Sequence, residues 1–311
     1  MSSVIKVSHL SKCFGDLVAV DDLSFSVNKG DVYGFLGQNG AGKSTTIRMM
    51  LTLIEPSEGD IEIFGMKLHS HRKEILKKTG AVIERPDLYK YLTAYENISL
   101  FAKMSGLSIS GKKLMEQLDQ VGLADRAHSK VKTYSLGMKQ RLGIAVALVN
   151  DPQLIILDEP TNGLDPQGIA DVRNLVLHLS KNQGRTVFVS SHLLSEVELV
   201  ANRMLIIDHG KKMVEGNVLE LFSTAEMVVE LQTSDADKTL TSLSGSVWEK
   251  YFNGRQRDTL LFKMDKKDIP DFNRFLVGKG EGVLLIRPVH SLEDYFLSLT
   301  SNNRHVEAFT N

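Results

Sequence analysis

Apolar positions along the chain fall into two patterns that together predict a parallel sheet with helices between its strands. Short runs of almost continuous apolar residues are typical of strands buried on both faces; they cover residues 31–36, 154–157, 186–189 and 204–207. Other apolar residues recur three or four positions apart, which predicts helices; examples are Val172, Leu175, Val176 and Leu179, and also Leu114, Leu118 and Val121.

Two further patterns surround this sheet. Residues 4–7 and 23–27 interleave polar and apolar side chains, which predicts half-buried antiparallel strands. We place a helical insertion at about residues 85–150, where Thr93 and Glu96 have the spacing of a capping box. Residues 1–216 are therefore expected to form an α/β domain with a mixed sheet core, an antiparallel flank and a helical subdomain.

After residue 216 the pattern changes to that of a second, smaller domain. Strands are predicted at residues 227–231, 259–264 and 283–286, with helices near 236–243 and 267–277, and a last helix is predicted to begin at Ser291. Residues 217–311 are therefore expected to form a small α+β accessory domain.

Composition excludes several classes of protein. The 311 residues suit two domains, and 37 basic against 38 acidic side chains give a net charge of −1, so nucleic acid is not expected as a partner. A single cysteine, Cys13, excludes an internal disulfide framework and fits a reducing compartment. We see neither a leader peptide nor an apolar run of the ~20 residues that span a bilayer. We therefore expect a soluble, cytoplasmic protein whose membrane part, if any, is supplied by other chains.

The strongest chemical signal is a glycine-rich loop between the predicted strand 31–36 and a helical run. Glycines let backbone N–H groups surround phosphate oxygens at a helix N-terminus. Lys43 would then reach the β- and γ-phosphates, and the Ser44 hydroxyl would take a magnesium site. A structural glycine turn is the alternative, which the strand–loop–helix context disfavours. The predicted nucleotide-binding residues here are Gly37, Gln38, Asn39, Gly40, Ala41, Gly42, Lys43, Ser44 and Thr45.

Two acids, Asp158 and Glu159, directly follow the predicted strand 154–157. The carboxyl ends of parallel strands are where open α/β sheets bind ligands. Asp158 would hold magnesium, and Glu159 would polarise a water molecule against the γ-phosphate. Taken alone, such a pair is more often a helix cap or a solvated turn, but the phosphate loop upstream favours the chemical interpretation.

A third motif reads Thr-Tyr-Ser135-Leu-Gly137-Met-Lys-Gln140-Arg, at the start of a predicted helix. A hydroxyl beside free N–H groups at the positive end of a helix makes an anion site. The alternative is that Ser135 is only an N-cap. One nucleotide does not need two anion sites from the same chain, but it can use two that come from different subunits.

These motifs, in this order, resemble the nucleotide-binding subunit of an ATP-binding cassette (ABC) transporter over about residues 3–216. The resemblance implies a P-loop ABC cassette that hydrolyses ATP with Mg²⁺. It implies two cassettes packed head to tail, most simply two copies, with Ser135, Gly137 and Gln140 of one acting on the nucleotide of the other. It further implies integral-membrane permease subunits as partners and a peripheral location on the cytoplasmic face of the membrane.

The resemblance also assigns further residues. Asp165, in Asn-Gly-Leu-Asp, matches the loop that communicates across this dimer, and His192 matches the switch histidine at the γ-phosphate, which acts with Lys43 and Glu159. Phe14 matches the aromatic residue that stacks on adenine, where a flat π face suffices. The alternative for Phe14 is a core residue beside Cys13. For His69 and His71, a solvated loop is favoured over a metal pair.

Two positions depart from the usual family pattern. Leu136 replaces the first glycine of the serine–glycine motif. Glu84 stands where the family has the glutamine that senses magnesium and the membrane partner, and its carboxylate adds negative charge there. Both changes resemble the bacitracin- and lantibiotic-type exporters, so Glu84 is included among the predicted metal-site residues and an exporter of drugs or antimicrobial peptides is expected.

Other functions stay open at this point. A soluble ABC ATPase acting on ribosomes or DNA usually has two cassettes or a coiled-coil insertion, and this chain has one phosphate loop and no heptads. A nucleotide-sensing module with weak turnover is supported only by Glu84 and Leu136. A P-loop kinase would leave Ser135 and His192 unexplained, and a dinucleotide oxidoreductase is set aside because its glycine spacing is absent.

Overall fold

The computed structural model describes residues 3–224 and 227–290, and the chain divides into two compact units, Met1–Val218 and Leu219–Asn311. The helix predicted from Ser291 onward lies outside the described residues.

The first unit contains ten strands and seven helices among its described residues. The strands are β1 Ser3–Phe14, β2 Leu17–Asn28, β3 Val32–Leu36, β4 Glu58–Ile63, β5 Met66–Lys67, β6 Thr79–Val82, β7 Leu154–Leu157, β8 Thr186–Ser191, β9 Arg203–Asp208 and β10 Lys211–Asn217. The helices are α1 Lys43–Met50, α2 Arg72–Lys77, α3 Ala94–Met104, α4 Gly111–Gln120, α5 Leu136–Ala147, α6 Pro166–Lys181 and α7 Leu194–Glu198. Helix α8, Val218–Thr224, begins at the last residue of this unit.

Two sheets form the framework of this unit. The larger has the strand order β10-β9-β3-β8-β7-β6, with all neighbours parallel except the antiparallel pair β10–β9. The smaller is antiparallel, with the order β2-β1-β4-β5. The predicted α/β fold with a mixed sheet and an antiparallel flank is confirmed. Because β3, β7 and β8 are parallel neighbours or next neighbours, their carboxyl ends lie at one edge of the sheet.

Aromatic side chains pack the two sheets together. Phe25 of β2 stacks on Tyr33 and Phe35 of β3 and on Phe188 of β8, with ring centroids 5.9–6.1 Å apart. The Tyr33 hydroxyl donates a hydrogen bond to the Glu215 carboxylate at 2.9 Å, and burial together with that carboxylate raises the pKa of Tyr33 well above its ordinary value. These close-packed rings support β3 and β8, the strands that lead into the candidate site.

The helix features that depend on residues close together in the sequence are confirmed. At the start of α3, the Thr93 hydroxyl accepts from the Glu96 N–H at 3.1 Å and the Thr93 N–H donates to the Glu96 carboxylate at 2.7 Å, so the capping box is confirmed. The apolar stripes of α4 and α6 are buried as their spacing predicts; the buried residues are Leu114, Leu118, Val172, Leu175, Val176 and Leu179.

The strand predictions for the flank were too short, and several strands were missed. The hairpin of β1 and β2 has twelve residues in each strand, where four or five were predicted. No prediction covered β4, β5, β6 or β10. Strand β10 is an edge strand with no buried residue, so it lacks the apolar alternation that marks a strand in a sequence. Strand β4 begins with three exposed residues and alternates only over its last three, which is too short a pattern to predict a strand.

The second unit is α+β in its described residues. Its antiparallel sheet has the order β12-β13-β11-β14. Its elements are β11 Met227–Thr233, α9 Ala236–Leu243, β12 Phe252–Gln256, β13 Thr259–Lys263, α10 Ile269–Gly278 and β14 Val283–His290. Of these six elements only β12 was not predicted; helix α8, which lies in this unit from Leu219 onward, was not predicted either. The two helices cover one face of the sheet around a core that includes Leu231, Leu260, Phe262, Phe272 and Leu276.

Candidate active site

The glycine-rich loop connects the carboxyl end of β3 to the N-terminus of α1. Gly40 and Gly42 have φ of 84° and 104°, a region that favours glycine. At Gly42 a Cβ atom would also lie 2.6 Å from the Ala19 carbonyl oxygen, so only glycine fits there. Lys43, the first residue of α1, is 5% exposed and its Nζ donates to the Gly37 carbonyl at 2.7 Å. The lysine is thus folded back over its own loop.

The remaining predicted loop residues stay around this turn. Ser44 and Thr45 are half-buried in the first turn of α1, and Asn39 is exposed at the tip of the loop. Gln38 is half-buried and Ala41 is buried. The structure therefore brings all nine predicted residues of this loop to the start of one helix, where free N–H groups favour an anion.

Asp158 and Glu159 follow β7 at the same edge of the sheet. Asp158 is fully buried, and its Oδ1 accepts from the Ser190 hydroxyl at 2.6 Å. Glu159 Oε1 lies 3.1 Å from Lys43 Nζ, and its Oε2 lies 2.7 Å from His192 Nδ1. The carboxylate of Glu159 therefore bridges the lysine of the phosphate loop and the histidine that follows β8.

The donor set fits a magnesium ion that is shared with phosphate. The Oδ2 atom of Asp158 is buried and has no hydrogen-bond partner in the described part of the chain, so a carboxylate oxygen is left for a ligand. Mg²⁺ prefers oxygen ligands and is usually held by one or two carboxylates together with substrate phosphates. Residues 3–224 and 227–290 contain no group of three or more His, Cys, Asp or Glu side chains that could hold a metal ion.

Glu84 lies outside this cluster, on the loop after β6. Its side chain is 63% exposed and forms an ion pair with Arg48 of α1, and its φ of 56° is in the left-handed region. Arg48 is four residues after Ser44 and so lies one helical turn further along the same face of α1. The pair links the Glu84 loop to the helix of the phosphate loop.

The serine–glycine motif starts helix α5. The exposed Ser135 is the N-cap and its hydroxyl accepts from the Met138 N–H at 3.2 Å, while Gly137 is half-buried. Gln140 is different, because its side chain is only 5% exposed. The structure therefore presents Ser135 at the surface but does not bring Gln140 there, since a position five residues later on a helix faces another direction.

Asp165 and Phe14 are at two other exposed positions. Asp165 is the N-cap of α6 and its carboxylate accepts from the Gly168 N–H at 2.8 Å. Phe14 ends β1 with 48% of its surface exposed, and Lys12 Nζ lies 5.0 Å from its ring centroid. An exposed ring does not fit the alternative of a core phenylalanine.

Similarity to known proteins agrees with this arrangement. A family model described as ABC transporter matches residues 20–162. YhcH of Bacillus subtilis (strain 168), described as an uncharacterized ABC transporter ATP-binding protein, is 40% identical over 305 residues, 98% of each chain. The chain belongs to the ABC transporter family.

Other relatives and a solved structure extend this assignment. The bacitracin transport ATP-binding protein BcrA of Bacillus licheniformis is 42% identical over 96% of this ABC chain and 98% of its own. The lantibiotic transport ATP-binding protein SrtF of Streptococcus pyogenes is 42% identical over 71% of this chain and 96% of its own. The cassette MJ0796, solved as a dimer in a post-hydrolysis state with ADP and Pi, matches with a TM-score of 0.62 and 27% identity over 69% of this chain and 98% of its own.

As an ABC ATP-binding subunit, the chain is of a type that binds ATP, hydrolyses it to power transport, forms dimeric cassettes and pairs with membrane permease components. In the described residues we find no helix with the length and apolar character needed to cross a membrane.

Two residues around the site of this ABC subunit were missed in the sequence. Ser190 contacts both Asp158 and Glu159, and Arg48 pairs with Glu84. The sequence did offer a signal for Arg48, because its four-residue spacing from Ser44 predicts that both lie on the same face of the helix. For Ser190 the sequence offers only its place near the end of a predicted strand, because its partners lie more than thirty residues away.

Proposed function

We propose that this subunit hydrolyses ATP in a Mg²⁺-dependent reaction and thereby powers the export of antimicrobial peptides or drugs. The observation that carries hydrolysis is the Glu159 carboxylate between Lys43 Nζ and His192 Nδ1. The cargo class is supported by relatives named for bacitracin and lantibiotic transport, both of which match over nearly their whole length.

In this proposal, the loop backbone and Lys43 bind the phosphates. Glu159 accepts a proton from the attacking water, whose oxygen bonds to the γ-phosphorus as the bond to the β-phosphate oxygen breaks and ADP leaves. His192 donates its Nδ1–H to Glu159 and so turns Nε2 toward the γ-phosphate. Phe14 stacks on adenine.

Ser44 and Asp158 would hold Mg²⁺, supported by the buried, unpartnered Asp158 Oδ2. When bound, the ion neutralises phosphate charge. Glu84 is the proposed third contributor to this metal environment and the link to the permease. Its ion pair with Arg48 connects it to the helix that begins with the phosphate loop.

The proposed working form is a dimer of two copies on the cytoplasmic face of the cell membrane, bound to permease subunits. Ser135 and Gly137 of one copy would face the nucleotide of the other, and Asp165 would communicate between the sites. The exposure of Ser135 at the N-terminus of α5 supports this arrangement. Gln140 is left out because it is buried in its own chain. Residues 217–311 are proposed as an accessory domain to the cassette of residues 1–216.

The test of hydrolysis is Mg²⁺-dependent ATP turnover by the purified chain and its Glu159→Gln variant, over a range of protein concentrations. The variant should lose about 10²–10⁴-fold in rate, because the base is absent, and should still bind ATP, because the amide keeps the shape of the carboxylate. The matched control is Glu198→Gln on α7, an exposed glutamate that should leave the rate unchanged. A rate per chain that rises with concentration supports the dimer. Parent-like turnover by Glu159→Gln would refute the assignment of the base.

The cargo class needs a separate test. The chain is expressed together with its permease subunits in a bacterium sensitive to bacitracin and lantibiotics, and growth inhibition is measured. Protection that Glu159→Gln abolishes is expected. An active ATPase that protects against neither would refute export of antimicrobial peptides of these two types while leaving hydrolysis intact.

A further inference from the structure

Ser190 has no assigned role in the proposed reaction, yet it contacts both acids of the site. It lies in β8 next to β7 and is fully buried. Its hydroxyl donates to Asp158 Oδ1 at 2.6 Å and accepts from the Glu159 N–H at 2.9 Å. A single buried hydroxyl therefore connects the proposed metal carboxylate to the backbone of the proposed base.

The first contact fixes which oxygen of Asp158 is available. A carboxylate can rotate about its terminal bond, and both oxygens are good acceptors. Ser190 engages Oδ1, whereas Oδ2 is buried without a partner in the described residues. The hydrogen bond thus holds the carboxylate in one rotation and leaves Oδ2 for a divalent cation.

The second contact acts on the backbone that carries Glu159. This residue has φ of 48°, in the left-handed region that side chains other than glycine rarely adopt. Such a conformation persists only where surrounding contacts hold it, and the Glu159 N–H is held by the Ser190 hydroxyl. This turn brings the carboxylate of Glu159 to Lys43 and His192.

We propose that Ser190 is a positioning residue that sets the orientation of Asp158 toward Mg²⁺ and the backbone turn of Glu159. The inference rests on the proposed Mg²⁺-dependent hydrolysis. It predicts that the Ser190 hydroxyl, and not merely a side chain of its size, determines how tightly a divalent cation binds together with nucleotide. Partners that orient metal ligands typically change metal affinity or activity by about 10- to 100-fold when removed.

The test uses three variants and one matched control. Ser190→Thr and Ser190→Val have nearly the same shape and both suit a strand, but only threonine keeps a hydroxyl. Ser190→Ala removes the hydroxyl without adding volume, so it covers the case in which the larger residues do not fold. The control is Ser180→Ala, a buried serine of α6 whose hydroxyl donates to the Gly30 carbonyl at 3.1 Å, away from the site.

Two measurements are made on each variant. Electron paramagnetic resonance of Mn²⁺ titrated into the protein with ADP gives cation affinity without turnover. ATP turnover against Mg²⁺ concentration gives the half-saturating concentration. We expect Ser190→Ala and Ser190→Val to lower the Mn²⁺ affinity, and to raise the half-saturating Mg²⁺ concentration, by about 10- to 100-fold. Ser190→Thr should stay within a few-fold of the parent, Ser180→Ala should match it, and nucleotide affinity in EDTA should be unchanged throughout.

Three results would overturn the inference. Parent-like cation affinity in Ser190→Ala would show that the hydroxyl is not needed. Equal losses in the threonine and valine variants would assign the effect to packing. A parent chain that hydrolyses no ATP and binds no Mn²⁺ with ADP would refute the proposed function, and the inference with it. If the parent chain hydrolyses ATP and binds Mn²⁺, a negative result in the variants refutes only the role of Ser190.

Discussion

The exposed ring of Phe14 gives a prediction in which two interpretations differ in the property that is lost and in the size of the loss. As an adenine platform, Phe14→Ala should weaken ATP binding with little effect on stability. As a core residue, the same change should cost about 3–5 kcal/mol of unfolding free energy and leave ATP affinity nearly intact. The 48% exposure of the side chain favours the first.

The magnitudes follow from this exposure. Full burial of a phenylalanine is worth about 1.5–3 kcal/mol, so a ring that is only half-buried should contribute about 1 kcal/mol to folding. Stacking of a base on an aromatic ring is worth about 1–3 kcal/mol by alanine substitution. That corresponds to roughly 5- to 150-fold in the Kd for ATP.

The assay is calorimetric titration of ATP into Glu159→Gln protein, which should not consume it, with and without Phe14→Ala. Inorganic triphosphate serves as a ligand without a base, and its affinity should not change. Phe14→Tyr should match the parent, and Phe64→Ala, which removes a ring 5.9 Å from Lys78 Nζ, controls for loss of an aromatic side chain elsewhere. An ATP affinity within twofold of the parent, with a loss of several kcal/mol in urea unfolding, would refute the adenine platform.

Three further predictions concern other parts of the first unit. Gly34→Ala should lower the unfolding free energy by about 1–3 kcal/mol in urea titration, because its Cβ would lie 2.2 Å from a valine methyl carbon of α7. Thr93→Ala should cost about 1 kcal/mol, and Glu96→Gln should reduce stability at neutral pH only. Hydrogen bonds from Thr93 lower the pKa of Glu96. The contribution of the Glu96 carboxylate to stability is therefore present above the ordinary carboxyl pKa and is lost as pH falls through the depressed value. Unfolding midpoints measured against pH will check this. Arg48→Ala should shift the Mg²⁺ dependence of turnover in the parent but not in Glu84→Gln, and equal shifts in both would exclude coupling through the ion pair.

Local chemistry explains why much of the fold could be predicted from the sequence. The capping box at Thr93 and the stripe of α6 depend on residues within one or two helical turns. The strands β3, β7 and β8 are buried on both faces, so continuous apolar runs mark them. Strands β10 and β12 at sheet edges were missed, because edge strands need not bury alternate side chains.

For the site, local patterns along the chain already identify several of the groups that can take part in chemistry. The glycines of the phosphate loop and the acids after β7 follow strands directly, and the carboxyl ends of parallel strands meet at one edge. Their positions after parallel strands predicted Lys43, Asp158 and Glu159 at that edge, whereas His192 was assigned there through the resemblance to the family.

How these groups contact one another follows from the folded arrangement of the strands and helices. The bridge from Lys43 through Glu159 to His192 and the hydroxyl of Ser190 between two acids depend on the register of β7 against β8. The burial of Gln140 depends on which face of α5 packs inward. Strand register and helix rotation are set by the packing of residues far apart in the chain, and local patterns of a single sequence do not contain that information.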